Sequence, residues 1–279
     1  MTEFVEIPGG RIAYDVRGEG PLVVLAHGMG DRRAAYRFVA PRLEAAGYRV
    51  ATLDMRGHGE SSTGWDSVSR TDNAGDILAV IRHLGGPAFL VGHSHSGGAA
   101  TIAAAQEPEA ITALVEICPF TKVPTLDFGS YLRRRQYRRG VNLLVGLAMT
   151  GNLKLWESYL RGPAYPGVKP ADHDRQVALI MSLLEDPGRA DGFAKARASK
   201  PSDAEAQLPN IKCPALVIMG GDVPDFGKPR AEAEGIVAAM PKGLGTVAMV
   251  EGAGHYPHNQ YPDETSELII EFLAQQSKA

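Results

Sequence analysis

The chain opens with two short stretches in which apolar and polar residues alternate, Phe4 to Ile7 and Arg11 to Val16, parted by Pro8-Gly9-Gly10. Alternation at period two marks a half-buried strand, and a glycine-bearing break between two such runs predicts an antiparallel hairpin at a sheet edge. The rhythm then changes. Continuous apolar runs, Leu22 to Ala26, Val50 to Leu53, Ala88 to Val91 and Ile111 to Ile117, alternate with longer segments of helical spacing, such as Tyr36, Val39 and Leu43, or Ile77, Val80, Ile81 and Leu84. Uninterrupted apolar runs suit strands covered on both faces, so the pattern predicts an α/β fold with a mostly parallel, doubly wound sheet.

The alternation stops near Pro119 and resumes at Cys213 to Met219, followed by a helix over Pro229 to Met240, a strand over Thr246 to Val250 and a helix over Asp263 to Gln275. The intervening stretch carries helical patterns at Tyr131 to Gly140, Leu143 to Tyr159, Asp174 to Leu184 and Gly192 to Ala198, and no strand pattern. It is expected to be a helical insertion, residues 121–208, set into a core domain formed by residues 1–120 and 209–279.

Composition narrows the function. At 279 residues with 44% hydrophobic content, the chain can bury a full core. The net charge of -3 arises from 29 basic and 32 acidic residues that are largely interspersed, which argues against a nucleic-acid partner. One local exception is RRRQYRR, with five arginines between Arg133 and Arg139; it reads as a solvated helix face, or as an attractor for an anionic substrate or membrane surface. No membrane span or export signal is visible, so a soluble, cytoplasmic protein is expected, and a homodimer is compatible with the chain. Cys118 and Cys213 lack any pairing or zinc pattern and read as buried thiols.

The chemistry centres on AFLVGHSHSGGAATIAAA, where a buried-strand run ends in Gly92-His93-Ser94-His95-Ser96-Gly97-Gly98 and passes directly into an alanine-rich helix. A serine on so sharp a turn needs small residues two positions before and after it, and Gly92 and Ser96 meet that need. Three other stretches carry loops of special shape: LAHGMGD around His27 to Gly30, LDMRGHGES over Leu53 to Ser61, and VEGAGHYPHNQYPDE around His255.

Together these four stretches resemble the α/β-hydrolase superfamily. The resemblance implies a G-x-S-x-G nucleophile elbow with Ser94 as nucleophile, although Ser96 stands where the second glycine usually is and is itself an alternative nucleophile. It implies an oxyanion hole made from the backbone N–H groups of Met29 and His95, whereas Gly28 and Gly30 taken alone would only shape a turn. The D-x-R-G-x-G-x-S loop that includes Asp54, Arg56 and His58 is expected to brace the site without taking part. The G-x-G-H loop implies His255 as general base, with His258 its competitor. Family members generally carry the acid three residues after the glycine that ends the seventh strand; here that position, counted from Gly220, is Val223. Asp225 and Asp222 are the two candidates, and Asp225 is preferred for its spacing to Pro229.

The expected reaction is hydrolysis of a small to medium carboxylic ester through an acyl-enzyme, with no cofactor. By position the helical insertion, residues 121–208, resembles the family's helical cap, and its arginines suggest a monoester bearing a free carboxylate. Lactone or carbon–carbon bond hydrolysis and a perhydrolase or haloperoxidase-like activity would use the same residues. A non-catalytic ligand-binding member of the fold is the alternative of another class. His93 and His95 form an H-x-H pair without the further ligands that a metal site needs, so no metal is expected.

Overall fold

The structure, a computed structural model, describes residues 2–276. Residues 1 and 277–279 of the expected core domain lie outside the described residues. Strands β1 (Glu3–Ile7) and β2 (Gly10–Arg17) pair antiparallel, with Ile7 opposite Gly10, so Pro8 and Gly9 alone make the turn. Gly9 sits at φ 92°, a conformation open to glycine. The remaining strands are β3 (Leu22–Ala26), β4 (Arg49–Leu53), β5 (Ala88–His93), β6 (Ile111–Ile117), β7 (Ala215–Gly220) and β8 (Gly245–Val250). They complete one eight-stranded sheet in the order β1-β2-β4-β3-β5-β6-β7-β8, parallel from β4 to β8.

Every residue of β3, β5 and β7 is buried, because both faces of the sheet are covered. Helices α1 (Val39–Ala45), α2 (Arg70–His83) and α3 (His95–Gln106) follow β3, β4 and β5. Six helices separate β6 from β7: α4 (Phe128–Arg133), α5 (Arg135–Thr150), α6 (Leu153–Arg161), α7 (His173–Leu183), α8 (Pro187–Ala198) and α9 (Ser202–Glu205). The chain closes with α10 (Pro229–Ala239), α11 (Pro257–Gln260) and α12 (Pro262–Gln276). Side chains of α2, α3 and α10 pack on one face of the sheet, while α1 and α12 cover the other. The chain leaves β3 for β4 on one side and crosses to β5 on the other. The loops after β3 and β5 therefore meet at a topological switch point, where open α/β sheets bind ligands.

The inserted helices depart from the sequence pattern at one place. Helical spacing persists from Leu143 to Tyr159, yet α5 ends at Thr150. Gly151 takes the left-handed conformation at φ 67°, its N–H reaches back to Leu147 O at 2.8 Å, and the Asn152 side chain caps α6. A periodicity count cannot see such a stop, because both helices bury the same face. Leu147, Trp156, Tyr159, Leu160 and Phe193 from the insertion share one apolar cluster with Tyr256 and Met29 of the core. Each such side chain contributes roughly 1.5–3 kcal/mol by leaving water. Met149 of α5, although apolar, points outward and is 81% exposed. Among the described residues, no helix is long and apolar enough to cross a membrane, and no cluster of three His, Cys, Asp or Glu side chains forms a metal site.

Candidate active site

Ser94 occupies the turn between β5 and α3 with φ 56° and ψ -116°, a left-handed backbone that few non-glycine residues adopt. The flanking residues are small for a measurable reason. A Cβ on Gly92 would lie 2.3 Å from Ser96 O, and one on Gly97 would lie 2.5 Å from Pro119 Cβ. Backbone bonds fix the turn: Ser94 N–H donates to Ile117 O at 2.9 Å, and Phe120 N–H donates to Ser94 O at 3.0 Å. Ser96, by contrast, is fully buried, and its hydroxyl donates to the His27 carbonyl, tying α3 to the loop after β3.

That loop runs directly against the serine. A Cβ on Gly28 would stand 2.8 Å from His93 Nδ1 and 3.0 Å from Ser94 Cβ, so only glycine allows the approach. Met29 follows at the mouth of the cavity that holds Ser94. His95 is the first residue of α3, where N–H groups have no acceptor within the helix. Two buried histidines hold the loop. His27 donates through Nδ1 to Gly28 O at 2.7 Å and accepts from Met55 N–H at 3.1 Å. His58 donates through Nδ1 to Arg56 O at 2.9 Å and accepts from Gly30 N–H at 3.1 Å. Burial lowers the pKa of both, which keeps the accepting nitrogen free. Asp54 is buried under Arg33, and Arg56 forks onto Asp76 with both contacts at 2.6 Å, so this loop braces its neighbours.

His255 follows β8 on a turn whose Gly254 presses on the insertion: a Cβ there would come 2.3 Å from Ala164 O. The His255 N–H donates to that same carbonyl at 2.9 Å, and its own carbonyl accepts from His93 Nε2 at 2.8 Å. Its Nδ1 stands 2.8 Å from Asp225 Oδ2, with both side chains almost wholly buried. His258 points elsewhere. It is buried against Tyr36, with ring centroids 5.2 Å apart, and burial pushes its pKa down to about 3.

The two acid candidates part clearly in space. Asp222 is 58% exposed at its side chain and lies 3.9 Å from Arg134, while Asp225 reaches His255. Val223, at the position the usual spacing would give the acid, is fully buried in the core. The two further residues let the chain turn back after that anchor. α5 crosses directly above, since a Cβ on Gly140 would lie 2.6 Å from Pro224 O. One arginine of the run, Arg134, serves the same loop. Arg134 donates to the carbonyls of Phe226 and Gly227 at 3.1 and 2.8 Å, and Arg138 to those of Tyr131 and Leu132. None of the five arginines lines the cavity at Ser94, so the expected attraction of an anion by this cluster has no structural basis there.

Two features escape the sequence altogether. Tyr159 of α6 donates its hydroxyl to Asp225 Oδ1 at 2.8 Å, and its ring stacks on Trp156 at 5.3 Å. The cavity beside Ser94, about 250 Å³, is walled by Met29, Phe120, Leu144, Leu147 and Ala196, and by two arginines, Arg70 and Arg197. Met29 apart, no local signal marks these residues, because each acts across more than twenty positions of chain.

The sequence model of the alpha/beta hydrolase family matches residues 23–268. The 2-(acetamidomethylene)succinate hydrolase of Mesorhizobium japonicum is 30% identical over 281 aligned positions, covering 95% of this chain and 92% of that protein. The 2-hydroxy-6-oxononadienedioate/2-hydroxy-6-oxononatrienedioate hydrolase of Burkholderia vietnamiensis is 28% identical, with 94% and 91% covered. The malate-bound thermophilic esterase of Thermogutta terrifontis superposes with a TM-score of 0.73 at 20% identity, with 99% of each chain covered, a likeness of fold.

Proposed function

The chain belongs to the alpha/beta hydrolase family, and from that premise we propose that it is a serine hydrolase with Ser94 as nucleophile, His255 as general base and Asp225 as the acid behind it. The observation that carries this reading is the 2.8 Å approach of Asp225 Oδ2 to His255 Nδ1 in a buried setting, with Ser94 held on its strained turn. Asp225 fixes the tautomer of His255 that leaves Nε2 free to take the Ser94 proton. Ser94 Oγ attacks a carboxylic ester carbonyl, the Met29 and His95 N–H groups hold the oxyanion, and His255 returns the proton to the leaving alcohol. Water, with His255 again as base, releases the acid from the acyl-enzyme. The inserted helices form the cap, and the small cavity favours short and medium acyl groups.

Hydrolysis of p-nitrophenyl esters from acetate to dodecanoate tests the reading, with wild type and Ser94→Ala assayed side by side. Turnover by the wild type that disappears in Ser94→Ala supports it; equal turnover by the variant overturns it. A second reading, hydrolysis of a carbon–carbon bond beside a carbonyl, is favoured by the likeness to a hydrolase named for 2-hydroxy-6-oxononadienedioate, a ketone with no ester in it. Turnover of a vinylogous ketone acid, with none of any ester, would favour this second reading.

A further inference from the structure

Arg70 is a buried cation at the N-terminus of α2, only 4% exposed. Its Nε donates to Phe120 O at 3.2 Å, and its Nη1 to Ser199 O and Oγ at 3.0 and 3.1 Å. These partners are neutral. Among the described residues no carboxylate lies within 4 Å of Arg70; Asp203 attracts it from further off. Burial lowers its pKa to about 10, which still leaves it charged at neutral pH. Arg197 of α8, half-buried, faces the same cavity from the insertion. Its Nη1 donates to the carbonyls of Leu147 and Ala148 at 3.0 and 2.9 Å, while its Nε is shut away from solvent without a hydrogen-bond partner.

A desolvated cation without a counter-ion costs stability unless something else satisfies it. Most of the other residues that line this cavity are apolar, and Ser94 is in its wall. With Nη1 of Arg197 engaged and Nε enclosed, Nη2 remains to meet a carboxylate oxygen, and Arg70 adds its positive charge to the same cavity.

We propose that the substrate cleaved at Ser94 carries a carboxylate, held in this cavity by the guanidinium groups of Arg70 and Arg197. The proposal rests on the serine hydrolase reading for the cleavage, and on the arginines alone for the anion. The two groups come from different parts of the fold, one from the core and one from the insertion. An anion between them would therefore also tie the insertion down over the nucleophile.

The test compares monoethyl glutarate with ethyl 5-methylhexanoate, in which two methyl groups replace the carboxylate oxygens, and 4-acetoxybutanoate with its methyl ester. These pairs put the charge on the acyl or the alcohol side. In wild type, kcat/KM for the charged member of at least one pair should exceed its neutral partner roughly ten- to a hundredfold, as a charge-assisted contact gives. The ratio should fall to about one in Arg197→Met and recover in part in Arg197→Lys, with circular dichroism checking the fold of each. Arg70→Met should act in the same direction. Ratios at or below one in the wild type, or a ratio unchanged in both methionine variants, would overturn the proposal. Calorimetry with glutarate on Ser94→Ala separates the two readings. Binding that Arg197→Met abolishes, in a protein that cleaves no ester, would uphold the anion site and sink the nucleophile. Hydrolysis of neutral esters without glutarate binding or charge preference would do the reverse.

Discussion

Asp225 aims one oxygen at His255 from a nearly dry setting, and its other oxygen needs a donor of its own. Tyr159 supplies that donor, and the stacking of its ring on Trp156 fixes the direction from which the hydroxyl comes. Tyr159→Phe keeps the ring and deletes the donor. A hydrogen bond to a charged group contributes about 1.5–3 kcal/mol. The variant should therefore lose about tenfold or more in kcat, with KM nearly unchanged; steady-state kinetics on p-nitrophenyl acetate decide, and an unchanged kcat would refute the role. Glu116 of β6 is a buried acid of another kind, fully enclosed, with Thr101 and Thr121 donating to its Oε1. Burial raises its pKa to about 7, above the unfolded value near 4.5. The folded state therefore binds its proton more tightly. This contribution is fully present below pH 4.5 and declines as pH rises through about 7, by about 3 kcal/mol in all. Glu116→Gln should remove that slope, so urea midpoints of variant and wild type should diverge in the variant's favour between pH 5 and pH 8. Parallel curves would show that Glu116 does not titrate as its burial requires. Ser94 and His255 are legible in the sequence because each sits on a turn shaped by neighbouring glycines. Asp225 is less so, since its place depends on Val223 burying first. Tyr159, Arg70 and Arg197 leave no trace, being defined only by what the folded chain brings beside them.

The elbow is a joint between two elements, and its residues divide by what they touch. Gly97 lets α3 start against Pro119, and a methyl group there would overlap a proline Cβ that cannot swing away. Gly97→Ala should lower the melting temperature and the turnover together. Ser96→Ala should behave differently, losing one hydrogen bond to His27 O, a cost of about 1 kcal/mol. Its turnover should stay measurable while that of Ser94→Ala vanishes; loss of turnover in Ser96→Ala alone would move the nucleophile to Ser96. Elements of the core are readable from pattern because period-two alternation and unbroken apolar runs have single physical causes, one covered face or two. The strand runs from Leu22 to Ala26 and from Ala88 to Val91 coincide with β3 and the body of β5. The insertion is less readable. α5 and α6 keep one periodicity across Gly151, and only the left-handed turn there divides them.

At the scale of the molecule, the insertion is joined to the core by contacts at the site itself. Arg37 forks onto Asp172 with both contacts at 2.7 Å, Arg70 holds Ser199, Arg134 holds the loop of Asp225, Tyr159 reaches Asp225, and Ala164 O receives the His255 N–H. A lid that opened as a rigid unit would have to break the last two, which position Asp225 and His255. The insertion and the core should therefore unfold as one cooperative unit. The chain has two tryptophans, and Trp156 lies in the apolar cluster that spans the boundary. In a Trp65→Phe background its fluorescence reports on that boundary, while far-UV circular dichroism reports on the whole chain. The two urea transitions should share one midpoint. A Trp156 transition that came first would mean that the insertion detaches while the sheet is intact; the contacts of Tyr159 and Ala164 would then be features of a closed state, and opening would disassemble the site each time substrate enters.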